Sequence, residues 1–181
     1  MGTTRKYPVG IQTFSEIIRN GLVYVDKTDL VWQLTNYAKY IFLSRPRRFG
    51  KSLLTTTLAS YFRGERELFE GLQIMALEKE WEQYPVIHLD ISMAKNMDSP
   101  AELRAKLMLL LDNYVEEYGK KETEVTPGGL LTGLISRAYK KTQRQVVILI
   151  DEYDAPLLDV LHQDKLLPSI RNVMQEFYQP L

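Results

Sequence analysis

Residues 45–52 read Arg45-Pro46-Arg47-Arg48-Phe49-Gly50-Lys51-Ser52. The phosphate-loop pattern is a glycine, any four residues, a glycine, a lysine, then serine or threonine. Gly50, Lys51 and Ser52 meet it, and Arg45 stands where the first glycine belongs. The preceding run, Lys39-Tyr40-Ile41-Phe42-Leu43-Ser44, is β-rich and almost wholly apolar, the pattern of a buried parallel strand. The following run, Lys51 to Phe62, carries Leu54, Leu58, Tyr61 and Phe62 at helical spacing. Strand, loop and helix in that order aim backbone N–H groups and the positive end of a helix dipole at a bound phosphate.

The candidate nucleotide-binding segment is therefore Arg45, Pro46, Arg47, Arg48, Phe49, Gly50, Lys51, Ser52 and Leu53. Gly50 lets the backbone approach closely. Lys51 is expected to reach the β- and γ-phosphates, and Ser52 to offer its hydroxyl to Mg2+. Arg45 has no easy access to positive φ, so the loop is expected to differ in shape from the common form. Taken alone, the segment also reads as a basic surface turn capping a helix.

A second run completes the pattern. Val146-Val147-Ile148-Leu149-Ile150 is followed by Asp151-Glu152, about a hundred residues after the loop. An acid at the carboxyl end of a parallel strand is where open α/β sheets place their sites. Asp151 is expected in the Mg2+ shell and Glu152 as the general base on the attacking water. Lys51 and Glu152 are thus the candidate catalytic residues, Ser52 and Asp151 the candidate metal ligands, and ATP with Mg2+ the expected cofactors. A glutamate directly after the metal aspartate points to AAA-type and RecA-like ATPases rather than small GTPases.

Around these runs the chain reads as alternating strands and helices. Helices are expected near Thr13, from Thr28 or Asp29 to Thr35, over Leu77–Tyr84, Ala101–Tyr118 and Leu130–Lys141, and from about Lys165 to Tyr178. Leu22–Val25 and Val86–Ile91 read as β-rich runs. Such alternation predicts a parallel, helix-covered sheet, hence a three-layer α/β phosphate-loop fold. Residues 1–36 are expected as a lead-in packed on the core, and 37–181 as the core.

Composition narrows the function classes. The chain has 181 residues, 45% of them hydrophobic and 25% charged, with 23 basic and 23 acidic side chains. That fits about one globular domain, and net charge zero argues against a general nucleic-acid binder. With no cysteine, a zinc ribbon, a thiol nucleophile and a disulfide framework are excluded. No apolar run reaches the roughly 18 residues of a membrane span, so no membrane role and a cytoplasmic location are expected. His88 and His162 are too dispersed for a metal site. Asp26-Lys27-Thr28 is open to two roles, a border of the nucleotide site or a capped turn with Asp26 paired to an arginine. Asp90 ends a strand as Asp151 does, with a turn role the simpler expectation, and Asp154 is open to a place beside the site or in the turn.

Tyr24-Val25-Asp26-Lys27-Thr28, the arginine-rich loop, Phe69-Glu70-Gly71-Leu72, Val86-Ile87-His88-Leu89-Asp90 and Ile150-Asp151-Glu152-Tyr153-Asp154 occur together here. On these residues the chain resembles the bacterial AAA-ATPase-like proteins over nearly its whole length. The resemblance implies that Arg45 is the family's own form and that ATP is the nucleotide. It also implies a following domain similar to PD-(D/E)XK nucleases. No Asp or Glu stands two places before a Lys, so this chain is not expected to be a nuclease by itself. In glutamate-bearing ATPases a further strand with a polar sensor follows the acidic strand. Here one helix is expected after it, so the sheet is expected to be truncated and the core incomplete at its C-terminus. No arginine finger is assigned. The leading expectation is a Mg2+-dependent ATPase. The alternatives are a nucleotide-binding regulatory module without turnover and a nucleic-acid-binding module using the arginine loop.

Overall fold

The structure, a computed structural model, describes residues 5–46 and 48–181. The chain divides into two compact units, the first running to Val86 and the second Ile87–Leu181.

The first unit is helical among its described residues. It holds α1 (Phe14–Arg19), α2 (Thr28–Thr35), α3 (Lys51–Phe62) and α4 (Ile74–Leu77), with a 3₁₀ turn at Arg66–Phe69. Its core joins buried Phe14, Val31, Leu68, Phe69 and Ile74 to Leu54, Leu58, Tyr61 and Trp81. Ring centroids of Phe14 and Phe69 lie 4.8 Å apart, and those of Phe69 and Trp81 5.1 Å. These tilted contacts add to the area that each ring buries. α1 packs on α3, where the Thr56 hydroxyl accepts from Phe14 N at 3.1 Å and donates to Gln12 O at 3.0 Å. Thr13 occupies the N-cap of α1 without a side-chain cap bond.

The second unit holds a two-stranded parallel sheet, β1 (Val86–Asp90, starting at the unit boundary) and β2 (Val147–Asp151). Helices α5 (Pro100–Tyr118), α6 (Pro127–Thr142), α7 (Ala155–Asp159) and α8 (Leu167–Tyr178) accompany it. The long helices start on local signals. Ser99 Oγ accepts from Glu102 N at 3.2 Å and Thr126 Oγ1 from Gly129 N at 3.2 Å, each followed by a proline in the first turn. Leu103, Leu107 and Leu111 of α5, Leu130, Leu131 and Leu134 of α6, and Ile170, Val173 and Phe177 of α8 are buried together with Ile87 and Leu89 of β1. Arg137 of α6 closes the end of α5, donating to Tyr118 O and Gly119 O and pairing with Glu124 at 2.6 Å.

Five expectations need correction. Lys39–Ser44 is no strand: its residues lie outside any ladder, and Tyr40 and Phe42 are about 70% exposed. A strand exists only through a hydrogen-bonded neighbour, and among the described residues β1 and β2 pair with each other. The full three-layer sheet is accordingly not present in the described residues; what stands is an α/β chain with a small parallel sheet. Leu22–Val25 also forms no strand, Val23 N bonding instead to Lys6 O at 2.9 Å.

Leu77–Tyr84 is not a helix beyond the end of α4. Trp81 takes φ 49°, and the Glu78 carboxylate accepts from the backbone N–H of Lys79, Glu80 and Trp81, and from the Tyr61 hydroxyl. Side-chain bonds of this kind offer the backbone an alternative to the helix. Finally, two helices follow the acidic strand rather than one. The short α7 begins after Asp154 with Pro156 in its first turn, a start signal that the sequence carried.

Candidate functional site

The two motifs lie in different units, and each is built by its own neighbourhood. In the first unit, α3 starts at Lys51, as the helical spacing of Leu54, Leu58 and Phe62 requires. Gly50 caps it at φ 74° and ψ 24°, with open space around its Cα. That left-handed conformation is why glycine is needed there. Arg48 also takes a left-handed φ, 66°, so the loop makes two such steps within three residues, and Arg45 makes none. The Lys51 ammonium folds back to donate to Arg45 O at 3.2 Å.

Leu53 and Leu54 turn toward the aromatic core, and Thr57, Ala59 and Ser60 are buried, which holds the helix in place. Lys51 and Ser52 stay half-exposed, while Arg45, Pro46, Arg48 and Phe49 are exposed. Arg47 lies outside the described residues. No acid occupies the first turn of α3. A helix N-terminus is normally stabilised by acids there; this one carries lysine and is flanked by arginines. The result is a concentration of positive charge with backbone N–H groups at its centre.

In the second unit, β2 ends on Asp151, which is 6% exposed. Asp151 Oδ1 accepts from Glu152 N at 3.0 Å. Glu152 takes φ 52°, a left-handed conformation costing a residue with a Cβ about 1–2 kcal/mol. Its carbonyl accepts from Ala155 N at 2.9 Å, and Asp154 O accepts from Leu157 N and Leu158 N at 3.0 Å, so the turn runs straight into α7. Strain of this kind at a strand end is typical of sites that aim a side chain. Asp90 ends the neighbouring parallel strand at the same sheet edge, and its Oδ1 accepts from Ser92 N at 2.9 Å, so it serves a turn.

Among the described residues, no three His, Cys, Asp or Glu side chains converge into a metal-ligating group. His88 sits in β1, where the Tyr114 hydroxyl accepts from its N–H at 2.7 Å and donates to its carbonyl at 2.8 Å. Asp26 proves to be a staple. Its Oδ1 accepts from Thr28 N at 2.9 Å and from the Thr28 hydroxyl at 2.7 Å, and its Oδ2 from Gln73 N at 2.7 Å. Thr28 Oγ1 in turn accepts from Ile74 N at 3.0 Å. The expected arginine partner is replaced by backbone N–H groups at the start of α4. Burial opposes ionisation of Asp26, but the hydrogen bonds from Thr28 and Gln73 outweigh it and hold its carboxyl below the ordinary value.

One residue at the acidic end had no sequence signal. Tyr178 of α8 donates its hydroxyl to Tyr153 O at 2.8 Å, bracing the turn that carries Glu152. A helix was expected there, but not which of its residues reaches that carbonyl.

Residues 8–181 match the family described as "Predicted AAA-ATPase". The chain belongs to the AAA-ATPase-like family. This AAA-ATPase-like chain is also 37% identical over 179 residues to a protein of Azotobacter chroococcum described as an uncharacterized protein in the vnfD 5′ region. The match covers 96% of the chain and 34% of that relative, so the chain spans about a third of the relative's length. No solved structure matches it. Among the described residues, no helix of this AAA-ATPase-like chain is long and apolar enough to cross a membrane.

Proposed function

We propose that this chain binds ATP through the arginine loop and hydrolyses it with Mg2+. The observation that carries the reading is the start of α3: a left-handed Gly50, an acid-free first turn, and Lys51 lying over the loop against Arg45 O. The helix N-terminus and the cations there suit a polyphosphate. On binding, the Lys51 ammonium exchanges the Arg45 carbonyl for phosphate oxygens, and Arg45 and Arg48 add long-range attraction.

The Ser52 hydroxyl and the Asp151 carboxylate are each hard oxygen donors of the kind Mg2+ takes, and Mg2+ needs few protein ligands when phosphates supply the rest. When bound, Mg2+ neutralises charge on the phosphates. Asp151 contributes a carboxylate already shielded from bulk water, and Glu152 accepts the proton of the attacking water. Family membership supports ATP as the nucleotide.

The test is calorimetric titration of MgATP into the wild type and Lys51→Ala. Binding by the wild type that is lost in the variant supports the reading; a folded wild type that binds no MgATP refutes it. Glu152→Gln separates turnover from binding, since a hydrolase loses turnover there and keeps its nucleotide.

A further inference from the structure

We propose that Tyr178 is a positioning residue for Glu152, its hydroxyl fixing from α8 the turn that presents the Glu152 carboxylate at the end of β2. The inference rests on the ATPase reading above and adds a residue outside every motif.

A left-handed residue with a Cβ persists only where its surroundings over-determine the backbone. Around Glu152 several bonds are local: Glu152 N to Asp151 Oδ1, Ala155 N to Glu152 O, and Leu157 N and Leu158 N to Asp154 O. They tie the turn to β2 and α7, its immediate neighbours in the chain. The bond from Tyr178 to Tyr153 O is of another kind. It joins the carbonyl directly after Glu152 to a helix 25 residues on. That helix is anchored in the core by buried Ile170, Val173, Met174 and Phe177. α8 is therefore a rigid reference, and the Tyr178 hydroxyl passes its position to the 153–154 peptide, one link beyond the base.

The geometry needs a hydroxyl that stays a donor. Burial, and then the nearby Asp154 carboxylate, push the Tyr178 phenol above its ordinary value, so it keeps its proton throughout the working range. The ring also packs against Phe177, with centroids 5.4 Å apart. Phenylalanine at 178 thus removes the hydrogen bond and leaves the packing.

The experiment compares the full chain with Tyr178→Phe in three measurements: kcat for MgATP, calorimetric Kd for MgATP, and amide hydrogen exchange of 152–155 without nucleotide. The expected result is a kcat about tenfold lower, the low end of what losing an outer-shell hydrogen bond costs at a functional site. Kd stays within about twofold, and exchange at Glu152 and Ala155 is faster. Unchanged kcat overturns the proposal, whether or not exchange changes. So does a fall in kcat with an equal rise in Kd, because the bond then supports the nucleotide site rather than the base. A wild type that binds MgATP without turning it over overturns the hydrolysis reading itself, and is recognised before the variant is compared.

Discussion

The Lys51 ammonium sits 3.2 Å from the carbonyl oxygen of Arg45, drawing the first residue of α3 back to the first residue of the arginine loop six positions earlier. The bond is exposed, so water competes for both partners, and its net contribution to folding is small. Its meaning is positional. The cation is held at the start of the arginine loop, the segment that leads into the N-terminus of α3.

Lys51→Ala is expected to leave the urea midpoint nearly unchanged while lowering MgATP affinity by about two orders of magnitude, as for loss of a charge-assisted phosphate contact. Calorimetry and urea unfolding on the same preparation check this. A variant with wild-type affinity would remove Lys51 from the phosphate site.

Glu152→Gly is expected to separate stability from function. Glycine takes φ 52° without the Cβ penalty, and this gain of about 1–2 kcal/mol exceeds its extra backbone entropy of about 0.5–1 kcal/mol. The variant should unfold at higher urea and have no ATP turnover. A destabilised variant would show that what the side chain contributes outweighs the backbone strain.

Asp26 gives an acid-dependent prediction. Its folded pKa is below the unfolded one, near 3.9. Its stabilisation is therefore present at neutral pH and lost as pH falls through the folded value. Asp26→Asn should cost about 1–2 kcal/mol at pH 7, the scale of weakened hydrogen bonds to a charged acceptor. The gap to wild type should shrink at pH 3. Urea unfolding at both values reads it, and a gap that stays constant would show that the charge plays no part.

Gly128→Ala sets two effects against each other. Helix propensity alone predicts a gain of about 1 kcal/mol in α6. A Cβ at 128, however, would lie 2.4 Å from Glu176 O, a backbone atom of α8 that cannot rotate away. Overpacking of this sort costs about 1–3 kcal/mol, so a net loss is expected. A melting temperature above wild type would mean that α8 shifts without cost.

Much of the chain was legible because helix bonds are local. Lys51 opens α3, and the expected helices over Ala101–Tyr118, Leu130–Lys141 and about Lys165–Tyr178 correspond to α5, α6 and α8, each written in residues within a few positions of one another, although the cap signals Ser99-Pro100 and Thr126-Pro127 start α5 and α6 earlier than expected. The β-branched run that ends on Asp151 was equally plain. The strand reading of Lys39–Ser44 failed because composition states only a propensity, and ladder bonds must come from another segment. The helix reading of Leu77–Tyr84 failed because one carboxylate, Glu78, took the backbone N–H groups that a helix needs.

By itself, then, the sequence determined the identity of the loop and acidic motifs, the long helices and the family, since each is written in residues close together in the chain. The tertiary structure alone decided that Asp26 holds Gln73, 47 residues away, that Glu152 is left-handed, and that Tyr178 braces the carbonyl beside it. Each of those depends on a donor or acceptor supplied by a distant segment, and no local pattern of side chains specifies which distant group arrives.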